Sequence, residues 1–370
     1  MRLLVCAGGT GGGVYPALAV IERVRDLHPD LELLWVGGEG GMEAELVKRE
    51  GIPYQAVAAA GVHGVGLRAL PGNLARLSRG YVQARRVLAR FRPDVLFFTG
   101  GYVAVPVALA GRRVPTALYV PDIEPGLALK VLSRFADRIV LTAPRSRQFF
   151  AADAPTTVTG YPVRAALLSW DVEAARAALE LEADLPVLLV FGGSKGARSI
   201  NRALFPALEA LLPQMQIVHI SGTLHWGEAQ QARERLPADL AARYHPFPYL
   251  HERMGAALRA ADLVVARAGA STLGEFPLFG LPAILVPYPY AWRYQRVNAQ
   301  YLASQGAAEI VEDADLAERL VPLVNALMGD AERLNGMRQA MLRLARPDAA
   351  AAIAAEVIAL AETRGERTTS

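Results

Sequence analysis

The sequence feature that most constrains the fold is residues 263–298, in which apolar strand-like runs alternate with turns. Residues 263–265 form a short apolar run that stops at the small-residue turn Ala268-Gly269-Ala270. The pattern predicts a helix that opens at Ser271 and a second apolar strand over residues 281–287. Because strands that alternate with helices build parallel sheets, we expect a doubly wound α/β fold.

The turn before the predicted helix is a candidate phosphate site. The first N–H groups of a helix have no partner inside it and attract anions, and Ser271 and Thr272 add hydroxyl donors. Glu275 follows, and its carboxylate could accept two hydrogen bonds from a ribose. Thr272 and Glu275 also have the spacing of a capping box, so both interpretations stay open here. The polar and aromatic loop of residues 288–295 follows the second strand, where open α/β sheets bind ligands.

Length and composition limit the class of protein. A chain of 370 residues, 52% of them hydrophobic, is long enough for two domains. The single cysteine, Cys6, excludes a disulfide framework and favours a reducing cytoplasm. No secretory signal is recognised, and the most apolar run, residues 95–111, is interrupted by Gly100, Gly101 and Pro106. We therefore expect a protein that stays inside the cell without a transmembrane helix.

Each half of the chain opens with a strand and a glycine-rich turn. GGTGGG occupies residues 8–13 and GGSKGA occupies residues 192–197. Glycines let the backbone approach a phosphate or sugar closely, but neither turn has the dinucleotide or Walker spacing. Asp313 and Asp315 have the spacing of a metal-binding pair, yet we interpret them as the acidic start of a helix. No metal and no cofactor is assigned.

Residues 61–93 carry seven arginines and no acidic residue, and apolar residues recur there at helical spacing. One interpretation is an ordinary surface helix with a solvated basic face. The other is a patch that binds an anionic membrane, with each arginine contributing on the order of 1 kcal/mol near the lipid surface. The arginines are Arg68, Arg76, Arg79, Arg85, Arg86, Arg90 and Arg92, and the apolar residues are Leu67, Leu70, Leu74, Leu77 and Tyr81.

Three further motifs lie in the second half of the chain: RAGASTLGE at residues 267–275, GLPAILVPYP at residues 280–289, and Gln295 shortly before Asn-Ala. Together they resemble the donor-sugar half of the MurG family, bacterial transferases that add N-acetylglucosamine to a lipid-linked cell-wall precursor. GGTGG, GMEAE, GGY, the PGL after residue 124, GYPVR and GGSKGA extend the resemblance over residues 3–310.

The resemblance implies two Rossmann-like domains that face each other across a cleft, the GT-B arrangement. It implies an acceptor and membrane-facing domain over residues 1–162, a donor-binding domain over 163–345, and a terminal helix over 346–370 that returns toward the first. The implied reaction is inverting transfer of N-acetylglucosamine from UDP-N-acetylglucosamine to undecaprenyl-pyrophosphoryl-MurNAc-pentapeptide in peptidoglycan synthesis. The implied location is the cytoplasmic face of the cell membrane as a peripheral protein, with no nucleic acid partner.

The resemblance also implies roles for individual residues. Leu250 would lie against uracil, Glu275 would bind the ribose and Gln295 the sugar hydroxyls. The donor-binding residues so implied are Thr10, Gly11, Gly12, Asp122, Arg164, Ser194, Leu250, Ala270, Ser271, Thr272, Leu273, Gly274, Glu275 and Gln295.

Two departures from the family fall beside the chemistry. The family histidine after the first glycine-rich turn is Gly13, and the family HEQN motif is Tyr119-Val120-Pro121-Asp122. We predict Asp122 as the general base, with Glu124 in reserve; otherwise Asp122 only hydrogen-bonds the donor or caps the next helix. The alternatives are a transferase with another glycolipid acceptor, an epimerase of a UDP-sugar, and an inactive sugar-nucleotide-binding membrane protein.

Overall fold

The structure is a computed structural model that describes residues 1–8, 11–41, 43–60, 70–193, 196–290 and 294–369. The chain forms two compact units. Unit 1 comprises residues 1–164 and 347–370, and unit 2 comprises residues 165–346. Among the described residues, no helix has the length and apolar character needed to span a bilayer.

The strands, in chain order, are β1 (Arg2–Cys6), β2 (Glu32–Gly38), β3 (Tyr54–Val57), β4 (Val95–Phe98), β5 (Thr116–Val120), β6 (Arg138–Leu141), β7 (Thr156–Val158), β8 (Val187–Phe191), β9 (Gln216–Ile220), β10 (Tyr244–Phe247), β11 (Leu263–Ala266), β12 (Ala283–Leu285) and β13 (Ala308–Ile310).

The helices are α1 (Gly11–Leu27), α2 (Glu43–Arg49), α3 (Leu70–Phe91), α4 (Ala104–Ala110), α5 (Leu127–Leu132), α6 (Ala165–Leu168), α7 (Val172–Ala178), α8 (Arg198–Leu211), α9 (Trp226–Glu234), α10 (Ala238–Ala241), α11 (Met254–Ala260), α12 (Glu275–Phe279), α13 (Tyr294–Ser304), α14 (Leu316–Met328), α15 (Ala331–Leu344) and α16 (Ala349–Thr369). Short 3₁₀ turns cover Pro144–Phe149, Thr223–His225, His251–Arg253 and Ala270–Leu273.

Unit 1 is built on a parallel seven-stranded sheet in the order β3-β2-β1-β4-β5-β6-β7. The chain moves outward from β1 to β3 and then returns to β4 on the other side of β1, which makes a topological switch point between β1 and β4. The central strands β4 and β5 are buried along their whole length because helices cover both faces. Helix α16 packs against α1, and Arg138 Nε on β6 lies 3.3 Å from Glu356 Oε2 on α16.

Unit 2 repeats this plan with a parallel six-stranded sheet in the order β10-β9-β8-β11-β12-β13. Its switch point lies between β8 and β11, which pair in register from Leu263 with Leu188 to Ala266 with Phe191. The predicted strand at residue 263 is confirmed as β11, and the predicted strand over residues 281–287 is shorter, at Ala283–Leu285. Residues 263–298 therefore contribute the neighbouring strands β11 and β12 to this sheet.

The helix predicted to open at Ser271 is wrong in its start. A 3₁₀ turn covers Ala270–Leu273, and the α-helix begins only at Glu275. Pro277 has no N–H to donate to the carbonyl of Leu273, so an α-helical hydrogen bond cannot form at that point. The N–H of Gly274 instead donates to the carbonyl of Ser271 at 3.1 Å, which is the shorter 3₁₀ spacing.

Candidate functional site

The predicted donor residues of unit 2 gather at one edge of its sheet. All its strands are parallel, so the loops after β8, β9, β10, β11 and β12 emerge at the same carboxyl edge. Gly193 and Gly196, in the loop after β8, have φ angles of +88° and +75°. A Cβ on Gly196 would lie 2.3 Å from the carbonyl oxygen of Ser221, so glycine is required there by conformation and by space. Ser194 and Lys195 lie outside the described residues.

Arg267, directly after β11, organises this edge. Its side chain is 9% exposed, and its guanidinium donates to Ser199 Oγ at 2.7 Å and to the carbonyl of Val286 at 3.1 Å. It also forms an ion pair with Asp313, whose Oδ1 accepts a 2.7 Å hydrogen bond from Ser199. The guanidinium carbon lies 5.1 Å from the ring centroid of Tyr288. These contacts hold together the start of α8 and the loops after β11, β12 and β13.

Sequence analysis missed the role of Arg267, although the residue opens the RAGAST motif. A signal was present, because a charged residue directly after a buried strand needs partners. The interpretation of Asp313 as part of an acidic helix start is also wrong, because α14 begins at Leu316 and Asp313 pairs with Arg267. Among the described residues, no group of three or more His, Cys, Asp and Glu side chains is arranged to hold a metal.

The turn of residues 270–274 does not use its side chains as a capping box. Thr272 Oγ1 donates to the carbonyl of Gly269 at 2.7 Å, and the residue is 2% exposed. The N-cap of α12 is Gly274, and no side chain caps it, so the capping-box interpretation is wrong. The first N–H groups of the 3₁₀ turn have no partner within the turn, which keeps Ala270 and Ser271 as candidate phosphate donors. The Glu275 side chain is half-buried at the start of α12.

Two side chains of helix α13 form hydrogen bonds with the backbone of neighbouring loops. Asn298 is fully buried, and its Nδ2 donates to the carbonyl of Ala268 at 3.1 Å, which holds the turn after β11. Gln295 Oε1 accepts a 2.9 Å hydrogen bond from the backbone N–H of Tyr288. This bond occupies the Gln295 carboxamide oxygen, so a hydrogen bond that Gln295 donated to a ligand would come from Nε2.

Leu250 follows β10, and its side chain is 4% exposed. Because this side chain is in the core, only the Leu250 backbone can meet a base. The next residue, His251, has a φ of +40°, an unusual conformation for a residue with a side chain. The rings of Tyr249 and His251 pack edge to face at 4.4 Å. Backbone outliers cluster at binding and active sites, so this angle agrees with the prediction that the loop after β10 binds a ligand.

In unit 1, α1 begins at Gly11 and includes Gly12, while Thr10 lies outside the described residues. Gly13 stands where the family has histidine, and its carbonyl accepts a 2.7 Å hydrogen bond from Thr99 Oγ1. A Cβ on Gly13 would meet its nearest neighbour, Thr99 Oγ1, at 3.4 Å, which is close to an ordinary contact. Packing therefore admits a Cβ at this position.

Arg164 lies at the end of the unit 1 segment. Its guanidinium carbon is 4.7 Å from the ring centroid of Tyr15 on α1. A cation over an aromatic face is attracted by the ring quadrupole. Its predicted role toward the nucleotide remains a prediction, and the contact holds its charge beside the second turn of α1.

The residues that replace the family HEQN motif lie at the end of β5 and just after it, in different environments. Val120 is wholly buried in the apolar core of unit 1, so the position of the family glutamate faces that core. Tyr119 is also buried, with its hydroxyl 2.6 Å from Thr142 Oγ1, and burial, with the nearby charge of Asp122, raises the pKa of Tyr119. Thr142 Oγ1 lies 3.0 Å from the carbonyl oxygen of Val120 and 2.9 Å from that of Pro121, the residue before Asp122.

Asp122 is the first partly exposed residue after β5. The helix that follows, α5, has Gly126 at its N-cap and no side-chain cap, so the capping interpretation of Asp122 is wrong. Glu124 is 2% exposed, and its Oε1 lies 3.4 Å from Lys130 Nζ. Glu124 is therefore buried beside a cation, whereas Asp122 is partly exposed.

Sequence analysis also gave no role to Glu43, the first residue of α2. The side chain is 3% exposed, and its Oε1 accepts a 2.9 Å hydrogen bond from the N–H of Gly38. A Cβ on Gly8 would lie 2.8 Å from that same oxygen. Burial, followed by the charge of Glu43, raises the pKa of Cys6 and of Tyr54. Glu43 thus packs beneath the loop that leaves β1.

Comparison with known proteins identifies the family of this chain. Residues 3–141 match the glycosyltransferase family 28 N-terminal domain, and residues 187–353 match the family 28 C-terminal domain. The chain is 41% identical to the UDP-N-acetylglucosamine--N-acetylmuramyl-(pentapeptide) pyrophosphoryl-undecaprenol N-acetylglucosamine transferase of Roseiflexus sp. (strain RS-1), over 96% of this chain and 94% of that protein. The chain belongs to the MurG family.

Two further similarities agree with membership of the MurG family. The corresponding transferase of Desulforudis audaxviator is 40% identical over 94% of this chain and 95% of that protein. The crystal structure of Acinetobacter baumannii MurG is 28% identical, with a TM-score of 0.77 over 96% of this chain and 99% of that chain. The predicted family and the predicted GT-B fold of two Rossmann-like domains are confirmed, and the protein is a hexosyltransferase.

Proposed function

We infer that the protein transfers N-acetylglucosamine from UDP-N-acetylglucosamine to the lipid-linked muramoyl-pentapeptide, with inversion at the anomeric carbon. The observation that carries this conclusion is near-full-length identity of 41% to a transferase whose name states this reaction. The reaction is a step of peptidoglycan synthesis. A UDP-sugar epimerase is set aside, because relatives at this identity are transferases.

The proposed donor site is the carboxyl edge of the unit 2 sheet. We assign the diphosphate to residues 192–196 and 270–274, the ribose to Glu275 and the sugar hydroxyls to Gln295. The backbone of Leu250 would bind uracil. Transfer leaves negative charge on the departing diphosphate, and fixed N–H groups stabilise such charge without reorganising. The Arg267 network supports this role, because it holds the loops of the site in place before the donor binds.

The proposed base in the acceptor half is Asp122. The acceptor hydroxyl attacks the anomeric carbon, Asp122 takes the hydroxyl proton, and the bond to UDP breaks with its electron pair on the phosphate oxygen. Asp122 is supported by its partial exposure at the end of β5, since Val120 and Glu124 are both buried.

The proposed location is the cytoplasmic face of the cell membrane. Helix α3 carries exposed apolar side chains, with Leu74 52% exposed and Val82 48% exposed, among exposed arginines. The middle of the helix is held to the unit, because Arg79 Nη2 pairs with Glu39 Oε1 at 3.1 Å and Gln83 Oε1 accepts from the Ala58 N–H at 2.7 Å. An amphipathic helix so held can place its exposed first turns on an anionic lipid surface. Leu67 and Arg68 lie outside the described residues.

The test is transfer of labelled N-acetylglucosamine by the purified protein to undecaprenyl-pyrophosphoryl-MurNAc-pentapeptide. We expect a labelled lipid product that forms without added metal. Transfer to another glycolipid only would support the alternative acceptor, which the departures at Gly13 and Val120 favour among the alternatives. Turnover of the donor without any acceptor, or binding of UDP without transfer, would overturn the proposed function.

A further inference from the structure

A buried chain of polar groups connects the core of unit 2 to the candidate nucleotide loops. It consists of Tyr244 on β10, His219 on β9, Asn201 on α8 and the carbonyl of Ser221, all four residues being 0% exposed. His219 Nδ1 lies 2.7 Å from the Tyr244 hydroxyl, and His219 Nε2 lies 3.1 Å from Asn201 Oδ1. Asn201 Nδ2 donates to the carbonyl of Ser221 at 2.8 Å.

The partners determine the direction of every hydrogen bond in this chain. The Ser221 carbonyl can only accept, so the Asn201 amide nitrogen must face it and the Asn201 oxygen must face His219. An amide oxygen also only accepts, so His219 Nε2 carries the proton and Nδ1 accepts from the Tyr244 hydroxyl. Burial lowers the pKa of His219 to about 3, which keeps the ring neutral in this tautomer at ordinary pH.

Ser221 lies between the two segments assigned to the nucleotide. On one side, its carbonyl oxygen is the atom that a Cβ on Gly196 would meet at 2.3 Å, so the loop after β8 packs directly on it. On the other side, its N–H donates to the carbonyl of Phe247 at 3.0 Å, three residues before Leu250. A shift of the Ser221 carbonyl would therefore move the candidate phosphate loop relative to the candidate base-binding loop.

We propose that His219 and Asn201 are positioning residues that set the spacing of the nucleotide-binding loops through the Ser221 carbonyl. The proposal rests on the proposed function for the identity of the ligand, UDP-N-acetylglucosamine. His219 and Asn201 are fully buried and do not touch the donor. They act through Ser221, and their effect is on donor binding in the ground state and the transition state alike.

The test compares Asn201→Leu with a matched control, Gln216→Leu. Gln216 is also 0% exposed and also holds buried backbone groups, with bonds of 2.8 Å to the N–H and the carbonyl of Glu182. It lies at the amino end of β9, away from the loops, so both variants should lower the melting temperature. Only Asn201→Leu should raise the KM for UDP-N-acetylglucosamine and the Kd for UDP, by about ten-fold or more, with kcat within about two-fold.

A second pair of variants keeps the test decisive if Asn201→Leu does not fold. His219→Leu removes the donor that orients Asn201, and it should raise the donor KM in the same way. His219→Gln offers an amide N–H near the position of Nε2, and it should restore a KM close to that of the wild type. Rescue by an amide but not by an apolar side chain would separate positioning from simple filling of the core.

The outcomes distinguish the inference from the proposed function. Equal KM values for Asn201→Leu and Gln216→Leu at similar melting temperatures would overturn the inference while wild-type transfer still supports the function. A wild type that binds UDP but does not transfer would remove the function, and weaker UDP binding by Asn201→Leu would still support the inference. A wild type that binds neither UDP nor UDP-N-acetylglucosamine would overturn both.

Discussion

At the scale of single residues, Asp122 occupies a different environment from the other polar candidates near β5. Val120 is in the apolar core, and a carboxylate there would lose its hydration without a partner. Glu124 is buried beside Lys130, whereas Asp122 is partly exposed after Pro121. A base must reach the hydroxyl proton that it removes, so partial exposure favours Asp122.

Asp122→Asn keeps the shape of the side chain and removes the basic oxygen. If Asp122 is the base, kcat should fall about 100-fold or more while the KM and Kd for the donor stay near those of the wild type. Glu124→Gln is the control, because it breaks the ion pair with Lys130 and should lower the melting temperature more than the turnover. Wild-type turnover in Asp122→Asn would leave the base unassigned.

Glu275→Ala should weaken donor binding. Loss of one buried hydrogen-bonding partner costs about 1–3 kcal/mol, so the KM for UDP-N-acetylglucosamine should rise about 5- to 150-fold, more than kcat falls. Glu332→Ala, an exposed change in the first turn of α15, is the control and should leave both constants unchanged. An unchanged Kd for UDP in Glu275→Ala would remove Glu275 from the site.

At the scale of elements, α3 is anchored to unit 1 at its middle and exposed in its first turns. Gly80 lies so close to the loop after β3 that a Cβ there would be 2.0 Å from the carbonyl of Ala58. This close approach, with Arg79 and Gln83, anchors the middle of the helix to the unit. The turns before Gly80 remain exposed, including Leu74 and Arg76. Anchoring one part of the helix thus presents the other to solvent or to a lipid surface.

The exposed part of α3 predicts salt-sensitive membrane binding. Sedimentation with vesicles should increase with the fraction of anionic lipid and decrease with salt, since the screening length is about 8 Å at physiological ionic strength and shorter above it. Leu74→Ser together with Arg76→Ser should reduce this binding. Leu342→Ser, at an apolar residue of unit 2 that is 44% exposed, is the control. Equal binding of the wild type to neutral and anionic vesicles would contradict the prediction.

At the scale of the whole molecule, buried histidines predict how stability depends on pH. Burial lowers the pKa of His219 from 6.5 to about 3, and burial followed by Arg233 lowers the pKa of His245. Below pH 6.5 the unfolded chain therefore takes up protons that the folded chain does not. Stability is fully present above this pH and is lost progressively as the pH falls toward the folded-state value.

From pH 6.5 to 4.5, His219 alone should reduce the free energy of unfolding by about 2–3 kcal/mol. Denaturant titrations across this range measure the change. His219→Gln removes the titrating ring and should flatten the dependence, whereas His28→Gln in unit 1 should leave it close to that of the wild type. An equally steep dependence in His219→Gln would assign the acid sensitivity to other groups.

Local patterns in the sequence were enough to predict the class of fold, which is confirmed, and the segments that we propose bind ligands, which stay a prediction. Both patterns are local, because periodicity and backbone freedom act between neighbouring residues. One is the strand, turn and second strand of residues 263–298, and the other is the set of glycines in residues 192–196. The family motifs added the reaction. Even here the helix start at Ser271 was misplaced, because Pro277 acts on a hydrogen bond that the apolar pattern does not contain.

The polar side chains that surround the candidate site could be identified only from the folded chain. Arg267 pairs with Asp313, which is 46 residues away, and His219 meets Asn201 and Tyr244 from separate elements. Val120 and Asp122 belong to one short motif, but Val120 is buried in the core and Asp122 is partly exposed. Such contacts depend on which strands become neighbours in the folded sheet, and no local period of the sequence encodes them, since burial and hydrogen-bond partners are properties of the packed chain.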